Sequence, residues 1–418
     1  MATPVNDTYS TASGGTIYGG TDNLPSWLPN SGEFGYVSLS SGTGSIMSSV
    51  FDTTNPQPLL QGGDGAAILN VWCSTIDCPG WGTMGGIAAW GGGHNDRVNN
   101  DMYMYDKALQ RWFRIVDATP LGIELKDDGV CYGNKVGLDN GVPAWVSDPA
   151  FTNVWGEYWT DATRSAIKVG KVGAVHTYGN IKYVPGSAYG NTQGAVVLMG
   201  GAAYLAHSVD LDNLEAGWQR CGDLFTTVLP GTKTSSYGCT IWDSLRSRLF
   251  CYPSNNGGQD GSLILNFPSK TVATTSNNFI DSYYHQGRYA AADDMYLVFS
   301  NDYPNRPKVK VLHPTSGAKY TPTQSGITPP PLYSMEWDEA RRRLVGFDGF
   351  NSTLYFGQAP ENMATGTWVW TSETFTNLSP VVPQTESNGM FDRVHFDANL
   401  QAFFIVTRVN GPVQCWKI

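Results

Sequence analysis

The sequence predicts an all-β chain in which one small antiparallel unit recurs about six times. Three observations carry this reading. First, the 418 residues are rich in Gly (48), Trp (14), Tyr (21) and Phe (17), and only 15% are charged, against about 25% in an ordinary soluble domain. Second, the Ala, Leu, Glu and Lys that helices favour give way to Gly, Thr, Ser, Asn, Tyr and Trp, which suit strands joined by turns. Third, a hairpin pattern repeats along the chain.

The repeat is an aromatic that ends a strand, an Asp or small residue that opens a turn, polar residues across the tip, and an apolar strand that returns. It reads WDSLRSRLFCY from Trp242, YAAADDMYLVF from Tyr289, WDEARRRLVGF from Trp337 and FDANLQAFFIV from Phe396. Tyr183, in IKYVPGSAYGNTQGAVVLMGG, starts the same motif with a longer tip, and Trp72 is assigned to another copy. From Tyr183 to Phe396 the spacings are 59, 47, 48 and 59 residues. A four-stranded propeller blade takes about 40–50 residues, so the predicted architecture is a six-bladed β-propeller. The 111 residues between Trp72 and Tyr183 leave room for a seventh blade. Residues 120–165 hold no second copy of the hairpin, so they read as a loop inserted after the first blade.

A second signature follows some hairpins. GGGHNDRVNNDMYMYDKALQRW contains Gly92, Gly93, Tyr103 and Trp112, and the stretch that follows AVVLM contains Gly200, Gly201, Tyr204 and Trp218. A Gly pair, an aromatic strand, a polar turn and an outer-strand Trp resemble the kelch repeat. Later repeats depart: no Gly pair precedes Trp368, and those near 265 and 311 lack the Trp. GGGHND before MYMYD, and HTYGNIKYVP from His176, are also similar to a kelch-containing group of bacterial and phage proteins. The resemblance covers roughly residues 64–418 and implies a propeller, with the galactose-oxidase-like central domain as a fold relative. It does not imply an activity.

The last repeat, from Gly389 to Ile418, has room for three strands. GEFGYVSL, residues 32–39, is the expected fourth, so that the propeller (32–418) is closed by its own N-terminal strand. Residues 1–31 carry no periodicity. They read either as a tail or as an arm ordered by a partner subunit.

The net charge of −10 argues against a nucleic-acid surface. No Lys or Arg precedes Arg97, whereas Asp7, Asp22, Glu33, Asp52, Asp64, Asp77 and Asp96 all precede it. The opening MATPVNDTYSTASGG has neither the basic nor the apolar region of a secretory signal. GAVVLMGGAAYLA, 13 residues from Gly194, falls short of the ~20 that span a bilayer. The expected protein is therefore soluble, without membrane insertion or nucleic acid. Seven cysteines leave at least one thiol unpaired, and without a CxxC pair they read as small buried hydrophobes.

No residue stands out as catalytic or as a cofactor ligand. His94, His176, His207, His285, His313 and His395 form no close metal pair. Tyr283, Tyr284, His285 and His395 supply residue types that a galactose-oxidase-like copper site needs. His94, Asn95, Asp96, Asn99, Asn100 and Asp101 cluster oxygen donors that suit calcium or simple turns. Arg341, Arg342 and Arg343 sit at a hairpin tip, as a solvated turn or a contact for an anionic partner. Whether a metal binds is open, and no cofactor is expected. The leading expectation is a non-enzymatic interaction or structural module, set in a phage virion as a tail or appendage component. Its partners would be other protein subunits, or a glycan. The alternatives are a galactose-oxidase-like or glycan-processing enzyme, and a carbohydrate-binding lectin.

Overall fold

The computed structural model describes residues 24–51, 67–70, 73–91, 101–116, 138–139, 142–143, 177, 179–199, 205–223, 239–252, 262–275, 285–301, 307–330, 334–347, 349, 351–375 and 392–418. Six small sheets make a six-bladed β-propeller. The first four blades lie within residues 75–116, 181–223, 239–275 and 285–320, each a four-stranded antiparallel meander. The fifth spans 323–374 and the sixth 394–417.

The first strand of each meander lies innermost. These strands are Thr75–Cys78, Ile181–Val184, Cys239–Asp243, His285–Ala290, Ser334–Asp338 and Val394–Asp397. Each touches the next, and the sixth touches the first. Crowding at the axis explains Gly287. A Cβ there would lie 2.4 Å from Ile241 Cγ1 on the neighbouring inner strand, so the close approach requires glycine.

The sixth blade takes its outer strand from the other end of the chain. Phe34–Tyr36 pairs antiparallel with Gln414–Lys417, Phe34 opposite Trp416. The seam extends through Gly32 N–H to the Lys417 carbonyl (2.7 Å) and Val37 N–H to the Val413 carbonyl (3.0 Å). The fifth blade carries an unforeseen fifth strand. Thr323–Gly326, on the way in from the fourth blade, runs parallel to Thr367–Thr374 along the outer edge.

Six apolar clusters hold the ring, one in each gap between blades. Trp90 and Trp218 meet between the first and second blades, ring centroids 4.6 Å apart. Phe250 stacks on Tyr296 at 4.7 Å between the third and fourth. The outer-strand tryptophans Trp112, Trp218 and Trp368 are all buried. This flat packing accounts for the aromatic excess. Cys73, Cys78, Cys221, Cys239, Cys251 and Cys415 are all buried, consistent with small core hydrophobes.

The hairpin tips also follow the sequence logic. Asp243, Asp338 and Asp397 each accept a backbone N–H from three residues on: Arg246 at 3.1 Å, Arg341 at 3.2 Å and Leu400 at 3.0 Å. The last turn residue is left-handed: Ser247 (φ 48°), Asp294 (51°), Arg342 (51°) and Gln401 (47°). The tip arginines are engaged within the chain, Arg341 and Arg343 with Asp338 and Arg342 with Asp293.

The first repeat differs from the assignment made from sequence. Its inner strand is Thr75–Cys78, and Cys78 pairs with Gly86 across the turn just as Asp243 pairs with Arg248. The place taken by an aromatic in five blades is therefore held by Asp77, and Trp72 lies outside the described residues. So do Gly92, Gly93, Gly200, Gly201, Tyr204 and most of the 120–165 insertion, of which a two-stranded hairpin, Leu138–Asp139 with Val142–Pro143, is described. No helix among the described residues is long and apolar enough to cross a membrane.

Candidate functional site

A cavity of about 300 Å³ lies on the propeller axis, lined by inner-strand residues of all six blades. Four of its polar groups come from one recurrent position, the residue just before the hairpin aromatic. That position is Lys182 before Tyr183, Arg288 before Tyr289, Glu336 before Trp337 and His395 before Phe396. The third blade has Ile241 there. A charged residue or histidine recurring at that place in four of the six inner strands was the sequence signal for the site. The hairpin aromatics, which alternate with it along each strand, are the stronger sequence signal and masked it.

Asp392, at the entry to the sixth inner strand, ties these groups together. Its carboxylate accepts from Lys182 Nζ of the second blade and from Arg288 Nη2 of the fourth. Arg288 also gives Nε to Glu336 Oε1 of the fifth blade at 2.7 Å. The Asp392 carbonyl accepts the Thr75 N–H of the first blade at 3.1 Å. Four other blades are thus braced to the sixth through one residue. Burial would raise the Asp392 pKa, but Arg288 and Lys182 outweigh it and hold the carboxyl well below the usual carboxylate range. Burial raises the Glu336 pKa and Asp392 adds to the rise, while Arg288 opposes it.

A second brace joins the first and sixth blades. Lys107, its side chain fully buried, places Nζ 2.8 Å from Asp77 Oδ1 and 2.6 Å from Asp397 Oδ2. Burial pulls the Lys107 pKa down, but the two carboxylates overcome it and hold the lysine charged. Asp77 is pushed up to about 6, chiefly by burial, against the attraction of Lys107 and with repulsion from Asp397 and Glu336.

His395 is buried between the two braces. Its Nε2 lies 2.7 Å from Thr75 Oγ1. The same Thr75 hydroxyl lies 3.4 Å from the Asp392 carbonyl. Burial and the nearby Arg288, Lys182 and Lys107 push the His395 pKa down to about 3, against the pull of Asp392. The imidazole is neutral at neutral pH.

Other candidates from the sequence fare differently. His285 begins the fourth inner strand, while Tyr283 and Tyr284 lie outside the described residues, as do His94, Asn95, Asp96, Asn99 and Asn100. Asp101 is buried and accepts from the Tyr103 hydroxyl. Among the described residues, no group of three or more His, Cys, Asp or Glu side chains is placed to hold a metal ion.

The chain matches no protein-family model and no curated protein. Among solved structures it is similar to an auxiliary nutrient binding protein from Bacteroides thetaiotaomicron, with 9% identity over 59% of this chain and 56% of that one, TM-score 0.37. It is also similar to a protein from Lactobacillus plantarum, with 11% identity over 50% of this chain and 57% of that one, TM-score 0.33. The chain thus spans little more than half the length of either structure.

Proposed function

We propose that the chain is a non-enzymatic interaction and structural module that docks other protein subunits through the rim of its closing blade. The observation that carries this reading is an apolar strip where the two ends of the chain meet. Tyr36 on the outermost strand is 57% exposed, Leu39 40% and Leu109 48%. The Leu39 N–H bonds to the carbonyl of Gln110, the residue after Leu109, at 2.9 Å. Beside them the Phe34–Tyr36 strand has one edge paired and, among the described residues, the other unpaired in its sheet. Exposed apolar side chains beside an open strand edge are what a partner strand or subunit covers. The axial ion pairs support the same reading, since they stiffen the ring and spend most of its central charges on one another.

The setting proposed for this module is a phage virion, in a tail or appendage. That part rests on the similarity of the GGGHND and HTYGNIKYVP stretches to a kelch-containing group of bacterial and phage proteins. Light scattering after size exclusion, with negative-stain images, tests the module reading. The expected result is an assembly larger than one chain that Leu109→Asp together with Leu39→Asp dissociates. A chain that stays monomeric, alone and with co-expressed neighbouring gene products, would overturn it.

A further inference from the structure

We propose that the axial cavity is a binding site for one uncharged pyranose ring, its hydroxyls bonded to the paired charges of the inner strands and its C–H face laid on the hairpin aromatics. Three observations meet there. The first is a set of polar groups that are fixed and still reachable. Lys182 and Arg288 are tied to Asp392, Arg288 also to Glu336, and Asp77 to Lys107. Asp77, Lys182, Arg288 and Glu336 all line the cavity. Their side chains keep 11–21% of their surface exposed, whereas Asp392 keeps 2% and Lys107 none. Each lining group thus presents an edge to the cavity while its ion-pair partner holds it in place. A guest meets donors and acceptors that are already oriented, which spares the cost of ordering them.

The second observation is the mixture of signs. Carboxyl groups from the first and fifth blades and cations from the second and fourth border one space. A cationic guest meets Lys182 and Arg288 there, and an anionic guest meets Asp77 and Glu336. A hydroxyl accepts from an ammonium or guanidinium and donates to a carboxylate, and being neutral it leaves the ion pairs intact. It also accepts from a protonated carboxyl, so the fit holds for Asp77 and Glu336 in either protonation state. The third is the wall. Trp242, Tyr289 and Phe396, from the third, fourth and sixth blades, line the same cavity and are each half-buried. Flat apolar surface therefore lies beside the polar groups. A pyranose matches both, with a rim of hydroxyls around a rigid ring that has C–H faces. The cavity also reaches the exposed turn residues Pro79 and Ser244, which gives it an entrance. Its volume is at the small end for ligand sites, which limits the guest to one ring.

Isothermal titration of the full chain with D-glucose, D-mannose and D-galactose tests the proposal. D-glucosamine and D-glucuronate are the charged controls, and cyclohexanol keeps a ring without the hydroxyl rim. The expected result is saturable binding of at least one neutral sugar, at least tenfold tighter than every control and weakened at least tenfold by Trp242→Ala. No saturable binding of any of the three sugars, a control that binds as tightly as the best of them, or an unchanged Trp242→Ala affinity would each overturn it. If Trp242→Ala does not fold, Ser244→Trp decides, since it narrows the mouth from an exposed turn and touches neither brace. It should weaken sugar binding at least tenfold at an unchanged melting temperature, and an affinity equal to or tighter than that of the wild type would refute the site.

Discussion

Replacing Asp392 by Asn removes the charge on which the axial brace converges while keeping the side chain's shape. Asn also tolerates the left-handed backbone of this position (φ 47°). The wild-type carboxylate is 2% exposed, and its partners Lys182 and Arg288 are 14% and 11% exposed. Removing one member of a buried ion pair costs about 3–5 kcal/mol because the partner charge is left uncompensated. Arg288 retains Glu336 at 2.7 Å, so the expected loss lies at the low end, about 3 kcal/mol. Urea unfolding at pH 7, followed by tryptophan fluorescence, reads this as a lower midpoint with an unchanged slope. The loss should be nearly the same at about 0.05 M and 0.5 M salt, because buried pairs are little screened. It should shrink on acidification. A carboxyl whose folded pKa is depressed stabilises above its unfolded value, near pH 4, and that contribution is lost as pH falls through the folded value. A loss under about 1 kcal/mol, the range of an exposed pair, would refute the idea that Asp392 braces the ring.

Three further outcomes follow from the same geometry. Carbon-13 carboxyl NMR should show one Asp titrating near pH 6, absent in Asp77→Asn. With its folded pKa raised, Asp77 binds more protons folded than unfolded between pH 4 and 6, so its contribution to stability falls as pH rises through that window. His395, pushed down to about 3, acts oppositely and over a wider span. It binds more protons unfolded from about pH 3 to 6.5, so stability rises with pH there, and His395→Asn should flatten the acid limb of a melting-temperature profile. Ser247→Gly should stabilise by about 0.5 kcal/mol, the left-handed strain relieved less the added unfolded-state entropy. Arg342→Gly, at nearly the same φ, should destabilise instead, because Arg342 holds Asp293 and the carbonyls of Pro360 and Glu361.

Much of the ring was legible in the sequence because its signals are local. The aromatic-turn-apolar hairpins at Trp242, Tyr289, Trp337 and Phe396 fix four inner strands, and the shortage of strands after Gly389 points back to residues 32–39. The first blade was mis-anchored at Trp72 because Asp77 takes the aromatic's place there. The reason is tertiary: Asp77 faces Lys107, 30 residues on. The fifth strand of the fifth blade was invisible for a similar reason. Thr323–Gly326 is largely exposed and pairs parallel to a strand 44 residues away, so it leaves no hydrophobic period. The axial cavity was legible only in part. Lys182, Arg288, Glu336 and His395 share a register position, but their convergence on Asp392 depends on ring closure, which no local window contains. The surplus of acids before Arg97 also gains a partial explanation, since Asp77 belongs to the buried brace.

The claim on which the rest depends is that the N-terminal strand closes the ring. Phe34 and Val37 are buried there, and burying two such side chains contributes about 3–6 kcal/mol. The direct measurement is the melting temperature of residues 41–418 beside that of the full chain, with and without a synthetic peptide of residues 24–40. The account predicts a clear drop on truncation and partial recovery when the peptide is added. Equal melting temperatures for the truncated and full chains would contradict it.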